Sequence, residues 1–218
     1  MKRFIVVGLG NFGASAAREL HRMGHEVIAL DADPQKVENA AQHLRHVVAG
    51  DGTDPAVLEG LGARSCDAAI VSTGDDIPAS VLTAIGLRDH GVREIHVKVV
   101  SEVHARILDK IGVTGTIFPE QESAKLLAKH VANVSILKYF ELGPEFSAQE
   151  MAVPESWVGR SLRELALPKT FNVSVVAVRD YLTDRMEPIP DPDAPLKDSD
   201  TLLVAGRGKD LERVARTK

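Results

Sequence analysis

Hydrophobic residues in the first part of the chain occur in short runs that alternate with amphipathic stretches. Six runs rich in β-branched residues predict strands: Arg3–Val7, Glu26–Leu30, His46–Ala49, Ala68–Ser72, Glu94–Val99 and Gly115–Phe118. The stretches between them predict helices: Phe12–Arg22, Pro34–His43, Pro55–Leu61, Ile77–His90 and Glu102–Ile111. Strand followed by helix, repeated in this way, is typical of a parallel sheet covered on both faces. The pattern therefore predicts a doubly wound α/β domain with right-handed crossovers.

The hydrophobic pattern changes in the last part of the chain. Glu120–Ser135 predicts a further helix, because its apolar residues recur at helical spacing from Ala124 to Val131. The segment Ile136–Val153 has the pattern of extended chain. The remaining segments predict a small α+β module: helix Ser161–Leu167, strand Val173–Arg179, an acidic proline-rich turn at Glu187–Asp200, strand Thr201–Ala205 and helix Lys209–Arg216.

Glycine and proline are distributed unevenly between the two parts. Residues 1–140 hold 13 of the 17 Gly but 4 of the 11 Pro, whereas the last 78 residues hold 4 Gly and 7 Pro. Gly143-Pro144 is a sequence at which chains commonly turn. We therefore expect two domains, residues 1–140 and residues 141–218.

Composition narrows the class of protein. A chain of 218 residues with 44% hydrophobic and 26% charged residues is typical of a soluble globular protein. No apolar run approaches the roughly 20 residues of a membrane span, and the chain opens on a strand rather than a signal peptide. The net charge of −5 offers no long-range attraction to nucleic acid. With a single cysteine, Cys66, the sequence suits the cytoplasm.

The sequence Gly8-Leu9-Gly10-Asn11-Phe12-Gly13 lies between the first strand and the first helix. This is the context in which a G-x-G-x-x-G motif indicates dinucleotide binding in a Rossmann-like fold. The first glycine permits the tight turn, the second lets the backbone approach a phosphate, and the third allows the helix to pack closely on the strand. The free N–H groups of the helix N-terminus complete an anion site.

An acidic residue, Asp31, closes the second strand about 20 residues further on, as the motif requires. Its carboxylate would accept hydrogen bonds from the adenosine ribose and would repel a 2′-phosphate. The alternative is a sharp glycine turn with an aspartate that merely precedes a helix. Further candidate nucleotide-binding residues follow the second, third and fourth strands: Ala32, Asp33, Asp51, Gly52, Thr53, Thr73 and Gly74.

Three positions, Lys98 among them, have structural alternatives to nucleotide binding. Asp51 and Thr53 could instead form a turn and an N-cap for helix Pro55–Leu61. Lys98 lies in an apolar strand, where a lysine on an exposed face is the simpler interpretation.

The catalytic motifs of the common nucleotide-dependent enzymes are absent from the sequence. A short-chain dehydrogenase needs Tyr-x-x-x-Lys, but Gly143 and Arg185 stand four residues after Tyr139 and Tyr181. The sequence has no Walker A loop and no paired Cys/His metal spacing. We therefore expect binding without catalysis, with a small NAD-dependent oxidoreductase as the alternative.

Taken in order, these residues resemble the RCK (regulator of potassium conductance) family, as found in the cytoplasmic subunits of bacterial Ktr/Trk potassium uptake systems. The resemblance covers nearly the whole chain and rests on these segments: Gly8–Gly13, Glu19–Val27, Asp31, Ala79-Ser80, Val97-Lys98, Lys110–Gly112, Pro119-Glu120, Val158–Leu162 and Val173–Val178. It implies a nucleotide-binding domain at 1–140, whose last helix docks on a partner subunit, and a C-terminal RCK module at 141–218.

The resemblance also implies a function. Members of the family form dimers that assemble into a ring, usually an octamer, beneath a membrane potassium transporter. ATP and ADP stabilise different shapes of the ring and so open or close the transporter. The protein would be peripheral to the inner face of the cell membrane.

Residue roles follow from the same resemblance. Gly10 and Gly13 would meet the phosphates, Asp31 the ribose, and Asp51 with Gly74 the adenosine. Lys98 would contact a phosphate. Glu120 would bind Mg²⁺, Ca²⁺ or Na⁺.

The sequence departs from the family pattern at two positions. Asn11 stands where activating relatives carry an arginine that contacts the γ-phosphate, which makes NAD or NADH an alternative to ATP and ADP. Pro168 stands where relatives that bind cyclic di-AMP carry an arginine, so we expect no cyclic di-AMP binding. The alternative function is therefore an NAD(H)-binding, redox-responsive regulator.

Overall fold

The computed structural model describes residues 1–132 and 136–217, apart from the side chains of residues 129, 130 and 132. These residues form two compact units, Met1–Gln121 and the remainder from Glu122 onwards. The last three residues of the predicted helix Glu120–Ser135 lie outside the described residues. No helix in the described part of the chain is both long and apolar enough to cross a membrane.

The first unit contains one six-stranded parallel sheet, in the order β3-β2-β1-β4-β5-β6. The strands are β1 (Arg3–Val7), β2 (Glu26–Asp31), β3 (His46–Ala49), β4 (Ala68–Val71), β5 (Glu94–Lys98) and β6 (Gly115–Ile117). The connecting helices are α1 (Asn11–Arg22), α2 (Pro34–Ala41), α3 (Pro55–Gly60), α4 (Ile77–Asp89) and α5 (Glu102–Ile111). This strand order confirms the predicted doubly wound, Rossmann-like fold.

Both faces of the central strands of this sheet are covered, which explains why β1, β2 and β4 are largely apolar. Residues of β1, β2, β4 and β5 on one face pack with Leu58, Leu87 and Leu108 of α3, α4 and α5. On the other face, the strands pack against Ala17 of α1 and Ala40 of α2. Helices on both faces leave the carboxyl ends of the strands as the edge at which ligands bind in such sheets.

The second unit contains an antiparallel sheet in the order β10-β9-β11-β8-β7. Its strands are β7 (Ile136–Gly143), β8 (Phe146–Ala152), β9 (Val173–Asp180), β10 (Arg185–Pro188) and β11 (Asp200–Arg207). Its helices are α6 (Pro119–Ala132), within which the division between the units falls, α7 (Leu162–Leu165), α8 (Leu167–Thr170) and α9 (Gly208–Ala215). A core that includes Met151, Trp157, Leu167, Leu202 and Leu211 confirms the small α+β module.

Three features of the second unit differ from the sequence-based expectations. The predicted helix Ser161–Leu167 is interrupted at Ala166, whose φ of +46° breaks the helical path. The predicted turn at Glu187–Asp200 begins inside β10, which pairs with β9. The boundary expected at residue 140 falls inside β7, and the pairing of β7 with β8 places that strand in the second unit.

Candidate functional site

Two of the three glycines in the Gly8–Gly13 motif have no room for a side chain. Gly8 has a φ of +92°, and a Cβ there would lie 2.1 Å from the carbonyl oxygen of Ser72. A Cβ on Gly13 would lie 1.9 Å from the carbonyl oxygen of Gly8. Packing within the protein therefore accounts for both residues.

Gly10 is different, because the protein itself leaves the space beside it open. A Cβ at Gly10 would meet no atom within 4 Å. Its backbone has a φ of −64°, which any residue can adopt. The open side of Gly10 is thus a place at which a phosphate could approach the backbone closely, as the motif predicts.

The N-terminus of α1 has no side-chain cap, unlike the other helices that connect strands of this sheet. Asp33, Asp54, Asp76 and Ser101 cap α2, α3, α4 and α5 by accepting hydrogen bonds from backbone amides. Gly10 caps α1 without a side chain, and the first turn of α1 has no acidic residue. The partial positive charge and amide groups of this helix end are therefore available to an anion.

Two predicted site residues begin α1 without contributing a charge. Asn11 is exposed at the first position of the helix, and Phe12 is half-buried at the second. The attraction for a phosphate at this end of α1 therefore comes from the backbone.

Asp31 lies at the carboxyl end of β2 and is nearly buried, with 8% of its surface exposed. Its Oδ2 accepts a hydrogen bond of 2.6 Å from the Leu9 amide, and its Oδ1 accepts one of 2.8 Å from the Asp33 amide. These bonds orient the carboxylate beside the glycine turn. Each carboxylate oxygen can accept a further hydrogen bond, so Asp31 is suited to bind ribose hydroxyls.

The two residues after Asp31 have less specific surroundings. Ala32 is exposed. Asp33 accepts a hydrogen bond of 2.9 Å from the Gln35 amide as the N-cap of α2. A local structural role therefore accounts for the Asp33 carboxylate.

The loop after β3 is an aspartate turn. Asp51 accepts hydrogen bonds of 2.8 Å from both the amide and the hydroxyl of Thr53, and these bonds lower the pKa of Asp51. Gly52 is buried. A Cβ there would lie 2.5 Å from a methyl group of Val7, so this position has no room for a side chain. The cap of α3 is Asp54, so neither Asp51 nor Thr53 has the capping role that the sequence left open.

The loop after β4 places two further predicted residues near the turn. The Thr73 hydroxyl donates a hydrogen bond of 3.2 Å to the carbonyl oxygen of Asp76. Gly74 has a φ of +70° and open space on its side-chain face. Because β1 pairs with both β2 and β4, these loops flank the glycine turn at the carboxyl edge of the sheet.

Lys98 and Glu120, which the sequence assigned to different ligands, form an ion pair with each other. Lys98 Nζ lies 2.6 Å from Glu120 Oε1, and 14% of the lysine side chain is exposed. The hydrogen bond from Lys98 holds the pKa of Glu120 below its usual value. Successive side chains of a strand point to opposite faces of the sheet. Ile95 and Val97 of β5 point to the face covered by α3, α4 and α5. Lys98 therefore points to the other face, which α1 covers.

The surroundings of Glu120 do not form a complete metal site. Calcium takes six to eight oxygen ligands and magnesium prefers six. Within residues 1–132 and 136–217, no group of three or more His, Cys, Asp and Glu side chains could hold a metal ion. The cation at Glu120 therefore stays a prediction.

The structure also shows features that the sequence did not predict. The Leu9 amide orients Asp31, the Ser72 carbonyl explains Gly8, and Lys36 lies near Asp31. The sequence places Lys36 in the first turn of the helix after Asp31, but it does not show the contact between them, because that contact depends on how α2 packs. Together the groups are donors for an anion and acceptors for hydroxyls, which is the chemistry of nucleotide binding.

Comparison with known proteins covers both units. Residues 4–119 match the TrkA-N domain family, and residues 149–218 match the TrkA-C domain family. The chain is 36% identical to the Ktr system potassium uptake protein C of Bacillus subtilis (strain 168), over 97% of this chain and 95% of that protein. It is 32% identical to the Ktr system potassium uptake protein A of the same organism, over the same shares.

Solved structures show the same fold at lower identity. The GsuK channel bound to NAD superposes with a TM-score of 0.57 and 20% identity, covering 100% of this chain and 38% of the channel. The GsuK RCK domain superposes with a TM-score of 0.56 and 21% identity, covering 98% of this chain and 45% of that chain.

Proposed function

The chain belongs to the RCK family, with a TrkA-N domain followed by a TrkA-C domain. We propose that it is the nucleotide-binding gating subunit of a potassium uptake system. Its identity with two potassium uptake proteins extends over nearly the full length of each. Its role is regulatory. The family assignment confirms the resemblance that the sequence motifs indicated.

One arrangement best supports nucleotide binding. The N-terminus of α1 is uncapped, and it lies beside the open face of Gly10 and the oriented carboxylate of Asp31. A phosphate would accept hydrogen bonds from the amides of the first turn of α1, stabilised by the helix dipole. The ribose would donate hydrogen bonds to Asp31. Lys98 would supply a positive charge to the phosphates once it leaves Glu120.

ATP and ADP are the proposed ligands, with NAD or NADH as the alternative. The alternative is supported by the neutral Asn11 at the start of α1, because an arginine there would add a charge-assisted hydrogen bond to a γ-phosphate. Such a bond contributes about 1.5–3 kcal/mol, or about tenfold or more in affinity. A structural neighbour that binds NAD has the same fold, and NAD also carries the adenosine that Asp31 would recognise.

The proposed partner is a membrane potassium transporter, and the proposed assembly is a ring of dimers, an octamer, at the cytoplasmic face of the membrane. Gating would follow from a difference in ligand affinity between two ring shapes, which sets the largest shift that a ligand can cause. No catalytic step is part of this proposal.

Ligand binding is tested by thermal unfolding of the purified protein with ATP, ADP, AMP, NAD, NADH and cyclic di-AMP, each with and without Mg²⁺ or Ca²⁺. A ligand at a hundredfold excess over its dissociation constant stabilises the folded state by about 2.7 kcal/mol. We expect stabilisation by ATP and ADP, or by NAD and NADH, and none by cyclic di-AMP. Absence of stabilisation by every adenine nucleotide would contradict the binding proposal.

Gating is tested in cells that lack potassium uptake, by expressing a potassium transporter with and without this protein. We expect uptake to depend on the protein. Uptake should be lost with Asp31→Asn, in which an amide replaces one of the carboxylate oxygens that accept hydrogen bonds. Equal uptake with and without the protein would contradict the regulatory role for that transporter.

A further inference from the structure

Lys36 is a basic residue beside the carboxylate that is predicted to bind the ribose. It lies in the first turn of α2, after the Asp33 cap and Pro34. Its Nζ is 3.7 Å from Asp31 Oδ2, and this is the carboxylate oxygen that accepts the hydrogen bond from the Leu9 amide in the glycine turn. The Lys36 side chain is 46% exposed, whereas that of Asp31 is 9% exposed.

The separation of these two groups leaves hydrogen-bonding capacity on both. At 3.7 Å the ammonium attracts the carboxylate but lies beyond the 2.7–3.2 Å typical of an N–H···O hydrogen bond. Lysine has three donors and no acceptor, and each oxygen of a carboxylate accepts more than one hydrogen bond. The pair therefore offers one acceptor and one donor to a third group that lies within hydrogen-bond distance of both.

A hydroxyl group matches that pair, since it both donates and accepts a hydrogen bond. In Rossmann-like sites, the acidic residue at the end of the second strand accepts the hydrogen bond of the ribose 2′-hydroxyl. A hydroxyl that donates to Asp31 has lone pairs left, and Lys36 is the charged donor within reach of the same carboxylate oxygen.

We propose that Lys36 is a specificity-determining residue of the nucleotide site, whose ammonium donates a hydrogen bond to the ribose 2′-hydroxyl while that hydroxyl donates to Asp31. The inference rests on the proposed nucleotide-binding function. It assigns the ligand class as adenine ribonucleotides with a free 2′-hydroxyl. Lys36 and Asp31 together recognise that hydroxyl.

The test is a cycle that removes the lysine and the hydroxyl separately and together. Isothermal titration calorimetry measures ADP and 2′-deoxy-ADP binding to the wild-type protein, Lys36→Met and Lys36→Arg. Methionine keeps most of the aliphatic stem and the helix propensity but removes the donors. We expect Lys36→Met to weaken ADP binding about three- to tenfold and to leave 2′-deoxy-ADP binding within about twofold of the wild-type value. We expect Lys36→Arg to retain most of the preference for ADP.

The comparison between ligands separates a direct contact from a general effect of charge. A lysine that acts only on the phosphates would weaken ADP and 2′-deoxy-ADP equally when removed, and this result would overturn the inference. Lys110→Met, which removes an exposed lysine from α5, is the matched control and should bind both ligands as the wild type does. Wild-type protein that binds ADP and 2′-deoxy-ADP equally would also overturn the inference while leaving the proposed function standing. Wild-type protein that binds neither ADP nor 2′-deoxy-ADP would overturn this inference. The nucleotide-binding function would fail with it if no other adenine nucleotide stabilised the protein in the thermal unfolding experiment.

Discussion

The three glycines of the Gly8–Gly13 motif have different physical roles. Gly8 and Gly13 are required by contacts inside the protein, at 2.1 Å and 1.9 Å from backbone oxygens if a Cβ were added. Gly10 has no such contact. A substitution at Gly10 should therefore affect the ligand rather than the fold.

We expect Gly10→Ala to leave the thermal stability of the free protein nearly unchanged and to weaken nucleotide binding at least tenfold. The added methyl group would occupy the space through which a phosphate approaches the α1 amides. Gly13→Ala is the matched comparison and should lower the melting temperature by several degrees, because overpacking costs about 1–3 kcal/mol. Calorimetry and thermal unfolding check both variants, and nucleotide binding that survives Gly10→Ala unchanged would contradict the role of Gly10.

At the same scale, Asp31 shows how far the sequence predicts a site residue. Its position at the end of β2 and its separation from the glycine turn identified it before the structure. Its burial and its hydrogen bond with the Leu9 amide follow from the parallel pairing of β1 and β2, whereas its hydrogen bond with the Asp33 amide is local. Lys36 could not be assigned in this way, because its approach to Asp31 depends on where α2 packs.

At the scale of elements, the contact between α4 and α5 contains a buried histidine that has no part in the proposed nucleotide site. His104 of α5 is fully buried, and its Nε2 lies 3.1 Å from the hydroxyl oxygen of Ser80 of α4. Burial lowers the pKa of His104, because the charged imidazolium is poorly solvated there. The histidine is therefore neutral in the folded protein at neutral pH.

We expect this histidine to make stability depend on pH. As the pH falls through the ordinary histidine pKa of about 6.5, the unfolded chain takes up a proton that the folded protein does not, so the free energy of unfolding decreases. His104→Gln removes the titration and keeps an amide that can donate to Ser80. The melting temperature of the wild type should fall more between about pH 7.5 and 5.5 than that of His104→Gln.

A second variant controls for histidine titration in general. His43 is exposed in the turn between α2 and β3. The melting temperature of His43→Gln should therefore depend on pH as that of the wild type does. An identical pH dependence in all three proteins would contradict the role of His104.

Helix boundaries also belong to the scale of elements, and the sequence predicted them where the signals are local. Proline at the first or second position and an aspartate cap mark the starts of α2, α3 and α4. The break at Ala166, where φ is +46°, was missed because alanine itself favours a helix. The strand β10 was also missed, since its four residues are exposed and have no hydrophobic pattern.

At the scale of the whole molecule, α6 carries exposed apolar side chains that suit a contact between subunits. Leu126 is 49% exposed and Leu127 is 61% exposed. With β7, these residues line a cavity of about 440 Å³ in the second unit. Exposed apolar patches of this kind mark interaction sites, which fits the subunit-docking role that the family resemblance implies for this helix.

We expect Leu127→Glu to lower the molar mass of the assembly measured by light scattering. Burying a leucine side chain contributes about 1.5–3 kcal/mol, and a buried unpaired carboxylate would oppose association further. Lys125→Glu, at an exposed position of the same helix, is the control for an added negative charge and should assemble as the wild type does. A molar mass unchanged by Leu127→Glu would contradict the proposed role of α6 in assembly.

The sequence by itself determined the order and type of most elements, the parallel sheet of the first unit, the nucleotide motif and the family. These properties rest on local signals: hydrophobic period, glycine and proline positions, caps and short motifs. Each depends on residues close together in the chain, so a single sequence is sufficient to detect them.

Only the tertiary structure decided which groups meet. It paired Lys98 with Glu120, placed Lys36 beside Asp31, left Gly10 open while packing Gly8 and Gly13, and joined β7 to the second sheet. These contacts join residues that come together through strand pairing and helix packing. Their geometry depends on how the whole unit fills its core, and no local pattern of residues carries that information.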